Sequence, residues 1–277
     1  MDTFSSSFLS RRERQGLRDT LAELLRGVGY CLGPNVVGVY IVGSFALGAG
    51  DSQSDVDFAV VTHRSISAGE LTRLRNLHET LPDAGTFGAD HLEGSYLPLD
   101  DLAGIPSSEW LYIDNGSRIL EPSRHDNTHA FRWVLREKST ALFGPAAHTF
   151  TTPVDDFSLR REARDRAIEW RDLLRSTPST VDDSWAQTHF VTGLCRLLYT
   201  WQEGAITSKH EATHWALRRL GLPWQELLSA ALAQRPTTWA RVGEKADPSV
   251  AARTIALAEE ICIQLHAAEH AGRNRRP

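Results

Sequence analysis

One stretch constrains this chain more than any other. It reads Val-Tyr-Ile-Val-Gly-Ser-Phe-Ala-Leu-Gly from Val39, then a polar loop, then Ser-Asp-Val-Asp-Phe-Ala-Val-Val to Val61. Apolar and β-branched residues over 36–42, bounded by Gly33-Pro34 and Gly43, predict a strand that ends on a Gly-Ser turn. A short helix is expected over 44–48, a loop over 48–54 and a second strand over 55–61. Alternation places Asp55 and Asp57 on one face of that strand, with Val56, Phe58 and Val60 on the other. Two carboxylates held side by side on rigid backbone repel each other unless a cation lies between them. Glycine at 43 lets the backbone approach an anion, and the helix start that follows adds its positive dipole end. The Ser44 hydroxyl can donate to a phosphate oxygen. These residues by themselves point to a metal ion and a phosphate.

A third carboxylate extends the pattern. Glu93 lies between Leu92 and Gly94 on a strand expected over 91–97. Asp55 and Asp57 supply hard oxygen ligands of the kind Mg²⁺ takes alongside substrate phosphates. Glu93 can complete a two-metal site or accept the proton of an attacking hydroxyl. Taken alone, Ser-Asp-x-Asp also fits a turn leading into a solvent-facing strand. The Gly-Ser turn one loop earlier and the later carboxylate favour the site.

The remaining chain sets the frame. Ser10 and Glu13 form a capping box ahead of Leu17, Leu21, Leu24 and Leu25 at helical spacing, and Ser67 and Glu70 repeat it ahead of Leu71, Leu74, Leu77 and Leu81. From Asn127 the pattern turns helical, with a helix over 131–142 stopped by Gly144-Pro145. A polar linker over 150–156 precedes helices over 159–174, 184–204, 209–220, 224–233 and 249–269. An α+β domain over 1–150 and an all-helical domain over 151–277 are therefore expected. Trp185, Trp201, Trp215, Trp224 and Trp239 populate the second half, mostly as core; Arg160–Arg166 reads as a solvated helix face and the arginine-rich end from Arg273 as frayed.

Of the chain's 277 residues, 41% are hydrophobic and 23% charged, with a net charge of −5, which argues against a broad basic nucleic-acid surface. Cys31, Cys195 and Cys262 are odd in number and far apart, so neither a disulfide framework nor a zinc knuckle is indicated. The first residues carry no apolar signal segment, and no run approaches membrane-spanning length. A cytoplasmic protein without a membrane partner is expected, as a monomer.

The pairing of Gly43-Ser44 with Asp55-Val56-Asp57 resembles the signature of the DNA polymerase β-like nucleotidyltransferases. Two later segments, Leu135–Ala147 and Leu194–Leu217, look like the aminoglycoside 3''-/9-adenylyltransferases that confer streptomycin and spectinomycin resistance. The resemblance covers nearly the whole chain. It implies a polymerase β-like domain with a mixed sheet, followed by a helical bundle. It further implies transfer of AMP from ATP, with one or two Mg²⁺ ions, to a hydroxyl of a small molecule, most simply an aminoglycoside or aminocyclitol. Carried over residue by residue, Asp55 and Asp57, with Glu93, hold metal. Gly43, Ser44, Ser54, Asp55, Asp57 and Lys209 hold the nucleotide, and Glu93 is the base. His125, Trp201, Glu203 and His210 join Glu93 at the acceptor. Two departures, Leu198 and His125 where streptomycin-modifying members carry tryptophan, weigh against streptomycin and leave the chemistry unaltered. A non-antibiotic metabolite as acceptor, or a nucleotide-binding regulator without turnover, is the alternative; the complete carboxylate trio argues against the regulator.

His210-Glu211-Ala212-Thr213-His214 is a literal H-E-x-x-H, the zinc peptidase pattern. Histidines at i and i+4 share a helix face and can bind Zn²⁺. Leu217 and Leu220 occupy the positions where the commonest versions place a third ligand. With Trp215, they explain the helix as an inward-packing face, which leaves His214 a surface or core histidine.

Overall fold

A computed structural model describes residues 8–104, 109–234 and 241–273. Trp239 and the arginine-rich end beyond residue 273 lie outside the described residues. The chain divides into two compact units between Val154 and Asp155.

The N-terminal unit begins with α1 (Arg11–Leu32), whose Ser10–Glu13 capping box is closed in both directions. There follow β1 (Val36–Ile41), the single-turn α2 (Gly43–Ala46), β2 (Val56–Thr62), α3 (Ala68–Thr80) and β3 (Leu92–Pro98). Then come β4 (Trp110–Ile113), β5 (Leu120–Ser123), α4 (His129–Glu137) and β6 (Thr140–Phe143). The six strands form one sheet in the order β5-β4-β3-β2-β1-β6. Only β2 and β3 run parallel among neighbours, so the sheet is mixed.

One shortened helix and three strands correct the sequence reading. The helix expected over 131–142 stops at Glu137, and residues 140–143 form a strand that pairs antiparallel with β1, Tyr40 facing Ala141. Hydrogen bonding to β1 outweighs the local helical pattern there, since propensity is a weak prior against tertiary pairing. The strands β4 and β5, each four residues long, were not anticipated at all.

The sheet has two unlike faces. Leu17, Leu21, Leu24 and Val28 of α1 and Leu74 of α3 bury Val39, Ile41, Val56, Phe58, Val60 and Tyr96 on one of them. The register places Tyr40, Ala59, Ser95 and Tyr112 in a row on the other, with Asp57 and Glu93 one step along. A parallel strand pair normally has both faces covered; on this second face Trp110 packs against Phe131 and Arg132 of α4, and the acidic pair lies further along the same face.

The C-terminal unit is helical: α5 (Asp156–Ser176), α6 (Ser184–Glu203), α7 (Lys209–Arg219), α8 (Leu222–Gln234) and α9 (Pro248–Arg273). Asp155, Asp183 and Ser208 cap α5, α6 and α7, each accepting a backbone N–H three residues on. Phe190, Val191, Leu194 and Leu198 place α6 at the centre, packed on Leu174, Trp215, Leu228 and Leu257. Arg160, read from sequence as solvated, instead donates to the carbonyls of Trp201 and Gln202 and closes the end of α6. Among the described residues no helix is long and apolar enough to cross a membrane.

Candidate active site

The carboxylates are brought together by strand register. In the parallel pair β2/β3, Asp57 faces Glu93 directly. Asp55 lies one residue before β2 and on the same side as Asp57. β1 hands the chain to the Gly-Ser turn, where Val42 N–H donates to the Asp57 carbonyl and Ser44 N–H reaches Asp57 Oδ2 at 3.4 Å. Gly43 has φ of +57°, and a Cβ there would lie 1.9 Å from Asp57 Oδ2. Position 43 thus demands glycine both for its left-handed backbone and for the space beside the carboxylate.

Ser44 Oγ is buried without a hydrogen-bond partner. Buried polar atoms are nearly always satisfied, so an unpartnered buried hydroxyl beside the Asp57 carboxylate fits a ligand that bonds to it. Ser54 behaves differently. Its hydroxyl donates to Asp51 Oδ1 at 3.0 Å and accepts from Asp51 N–H at 3.0 Å, tying the loop ahead of Asp55.

Glu93 is held under electrostatic strain. Burial, then the charge of Asp57, push its carboxyl up to about 9, against a hydrogen bond from Tyr112 that pulls the other way. Three acids gathered without a counter-charge fit a divalent cation, which would lower the Glu93 carboxyl toward its ordinary range. Among the described residues no three His, Cys, Asp or Glu side chains are already drawn tightly enough around one point to hold a metal. Donor chemistry and the orphaned Ser44 hydroxyl nevertheless fit Mg²⁺ with a phosphate. Asp55, Asp57 and Glu93 are the residues that could hold it.

Several residues at this site were not foreseen from sequence. Tyr112 on β4 donates to Glu93 Oε1 at 2.7 Å. Asn115, in the turn after β4, donates through Nδ2 to Asp55 Oδ1 at 2.7 Å. Its Oδ1 must then accept, so His91 Nδ1, 3.0 Å away, carries the proton. Asp126 accepts from Ser95 Oγ at 2.7 Å, and burial pushes its carboxyl up. None has a local signal: all but His91 and Ser95 come from the unforeseen hairpin or the loop after it. His125 Nε2 lies 3.5 Å from Glu93 Oε1, and its ring stacks on Tyr112 with centroids 4.9 Å apart. This is where the structure puts the first departure. The second, Leu198, is fully buried in the core of the bundle.

Trp201, Glu203, Lys209 and His210 belong to the C-terminal unit and are described within it. Trp201 is half-buried against the bundle core. Glu203 accepts from Trp215 Nε1 at 3.1 Å and lies 3.6 Å from Arg219, whose guanidinium covers the Trp215 ring. Lys209 and His210 occupy the first turn of α7. The Nε2 atoms of His210 and His214 are 3.3 Å apart, and Leu217 and Leu220 pack inward on the same helix. At the positions of a third ligand, Leu217 and Leu220 carry no metal-binding atom, which disfavours the zinc peptidase reading.

Both halves of the chain match known protein families. Residues 23–86 match the model of the nucleotidyltransferase domain, and residues 153–259 match that of the aminoglycoside adenylyltransferase C-terminal domain. The two matches, taken in chain order, support the aminoglycoside adenylyltransferase family, and the chain is a nucleotidyltransferase. It is 29% identical to an aminoglycoside (3'') (9) adenylyltransferase of Rhizobium radiobacter, over 78% of this chain and 81% of that protein. It is 26% identical to a spectinomycin 9-adenylyltransferase of Staphylococcus aureus, over 76% of this chain and 81% of that one. The fold is shared with the crystal structure of spectinomycin adenyltransferase AAD(9) from Enterococcus faecialis with ATP and spectinomycin. The TM-score is 0.66 at 15% identity, covering 90% of this chain and 99% of that one.

Proposed function

We propose that this protein transfers AMP from ATP to a hydroxyl of a small cationic acceptor, an aminocyclitol or aminoglycoside, with spectinomycin as the first candidate. The observation that carries the reading is the pairing of Asp57 with Glu93 across β2 and β3 beside the unsatisfied Ser44 hydroxyl. Asp55 and Asp57, with Glu93, would hold one or two Mg²⁺ ions. When bound, Mg²⁺ supplies positive charge against the phosphates and the departing pyrophosphate. Ser44 donates to a phosphate oxygen, and Gly43 leaves the backbone open to it. Ser54 contributes by fixing the loop that delivers Asp55.

Glu93 takes the acceptor's hydroxyl proton. The freed oxygen attacks the α-phosphorus, a new P–O bond forms, and the bond to pyrophosphate breaks. In-line placement of the acceptor is the main contribution required of the protein. His125, beside Glu93, and Trp201, Glu203 and His210 of the helical unit are the proposed acceptor contacts, and Lys209 the proposed phosphate contact. Asp114, beside Tyr112 Oη, and Asp126 add acidic groups around the base Glu93, which suits a cationic acceptor better than an anionic one. The names of the relatives support spectinomycin; Leu198, wholly buried in the bundle core, is out of reach of an acceptor and does not bear on streptomycin. No nucleic-acid partner is proposed, and the working unit is one chain.

The test is incubation with labelled ATP, Mg²⁺ and an aminoglycoside and aminocyclitol panel, reading pyrophosphate release and the mass of the product. An AMP adduct of spectinomycin is expected. Pyrophosphate release that no panel member stimulates would count against an antibiotic acceptor and favour a metabolite in its place.

A further inference from the structure

Two of the three site carboxylates are held from one four-residue segment. Tyr112, the third residue of β4, donates to Glu93 Oε1 at 2.7 Å; Asn115, just past the strand, donates to Asp55 Oδ1 at 2.7 Å. The two bonds run to different acids and end on a single oxygen of each. Each supporting residue is itself held. Tyr112 is buried, faces Ser95 across β3/β4 and is stacked under His125, with the rings only 15° from parallel. Asn115 cannot rotate its amide freely, because its Oδ1 is engaged by His91 Nδ1. Tyr112 Oη also lies 3.2 Å from Asp114 Oδ1, but a phenol has one proton to give. The shorter contact, to Glu93, takes it.

From this we infer that the segment from Tyr112 to Asn115 is the positioning element of the site, and that it divides the work. Asn115 orients Asp55 for metal, while Tyr112 fixes Oε1 of Glu93 and leaves Oε2 to take the acceptor's proton. The inference rests on the reading of Asp55 as metal ligand and Glu93 as base. Groups one step behind metal ligands and bases typically account for about 10- to 100-fold in metal affinity or activity. The division of labour gives two effects that separate, which a general loosening of the hairpin would not.

The probes are Mn²⁺ binding in the presence of ATP, followed by electron paramagnetic resonance, and AMP transfer to spectinomycin at saturating Mg²⁺. In Asn115→Ala, Mn²⁺ affinity falls about 10-fold or more, and kcat at saturating metal stays within threefold of the parent chain. In Tyr112→Phe, which keeps the ring and its stack on His125, kcat falls about 10-fold or more. Its Mn²⁺ affinity and KM for ATP stay within twofold. Asn115→Leu, which keeps the size and loses the donor, behaves as Asn115→Ala. Equal losses of metal affinity and kcat in both variants, or no loss in either, overturn the proposal. Asp55→Asn and Glu93→Gln test the underlying reading separately. If Glu93→Gln transfers AMP normally, the base is misassigned; if it is inactive while Tyr112→Phe is not, only the positioning role fails. The Mn²⁺ arm needs no acceptor, so it decides the Asn115 half even for a chain that leaves spectinomycin unmodified.

Discussion

Asp57 owes its position to its neighbours' backbone more than to its own side chain. Its carbonyl is held by Val42, its strand partner is Glu93, and the space at its Oδ2 exists because residue 43 has no Cβ. Asp57→Asn should lower kcat by about 100- to 1000-fold, the usual cost of removing one preorganised charge. The metal-free fold should be as stable or slightly more so, because the repulsion with Glu93 is relieved; thermal unfolding in EDTA checks this. Gly43→Ala meets both a backbone cost of about 1–2 kcal/mol for the left-handed conformation and a clash at Asp57. It should lose transfer by at least about 10-fold while its circular dichroism spectrum is retained. Glu93 gives a pH signature. In the metal-free protein the native state keeps its proton up to about 9, whereas the unfolded chain releases it near the ordinary value of 4.5. The contribution to stability is full below pH 4.5 and is lost as pH rises toward 9. Glu93→Gln lacks that decline, so its unfolding temperature relative to the parent should climb between pH 5 and 9. A flat difference across that range would show that the carboxyl is not strained.

At the scale of elements, the start of α3 is secured by more than its cap. Glu70 is buried, accepts from Ser67 N–H and Oγ, pairs with Arg64 and reaches Asn35 Nδ2. The Arg64 hydrogen bonds, ahead of the Ser67 contacts, pull its carboxyl down to about 2. Glu70→Gln should cost about 2 kcal/mol at pH 7, the scale of a hydrogen bond to a charged group. Because the group's folded value is depressed, that cost should disappear as pH falls from about 4.5 toward 2; urea unfolding at pH 7 and pH 3 tests it. The capping box itself was legible in the sequence, since Ser67 and Glu70 carry it within four residues. The strand-turn-strand around Gly43 and Asp57 was legible for the same reason. Tyr112, Asn115 and Asp126 were not, because each reaches the site through strand pairing or a loop whose partner is distant in sequence. β6 was misread for a related reason: Thr140–Phe143 continues a helical pattern locally and becomes a strand only because β1 offers it an edge.

For the molecule as a whole, the bet is that the N-terminal unit carries the metal and the triphosphate, and that these ligands bind the folded chain alone. Mg·ATP at about 100 times its dissociation constant should then stabilise the folded state by about 2.7 kcal/mol. The shift should appear in thermal unfolding of the parent chain and vanish in Asp57→Asn. ATP without metal should give a much smaller shift. A shift that survives Asp57→Asn would place the nucleotide elsewhere.

The strand β6 bears on where this protein can be cut. β1, which launches the Gly-Ser turn, is flanked by β2 on one side and by β6 on the other. Tyr40 of β1 also donates its hydroxyl to the carbonyl of Pro145, at 2.7 Å. The residues that complete the sheet therefore come about a hundred positions after the motif they support. A fragment ending before Thr140 would keep all three acids and yet leave β1 with a bare row of amides and carbonyls, an invitation to pair with another copy. The smallest portion able to stand by itself has to run through Pro145, well beyond the nucleotidyltransferase match at residues 23–86.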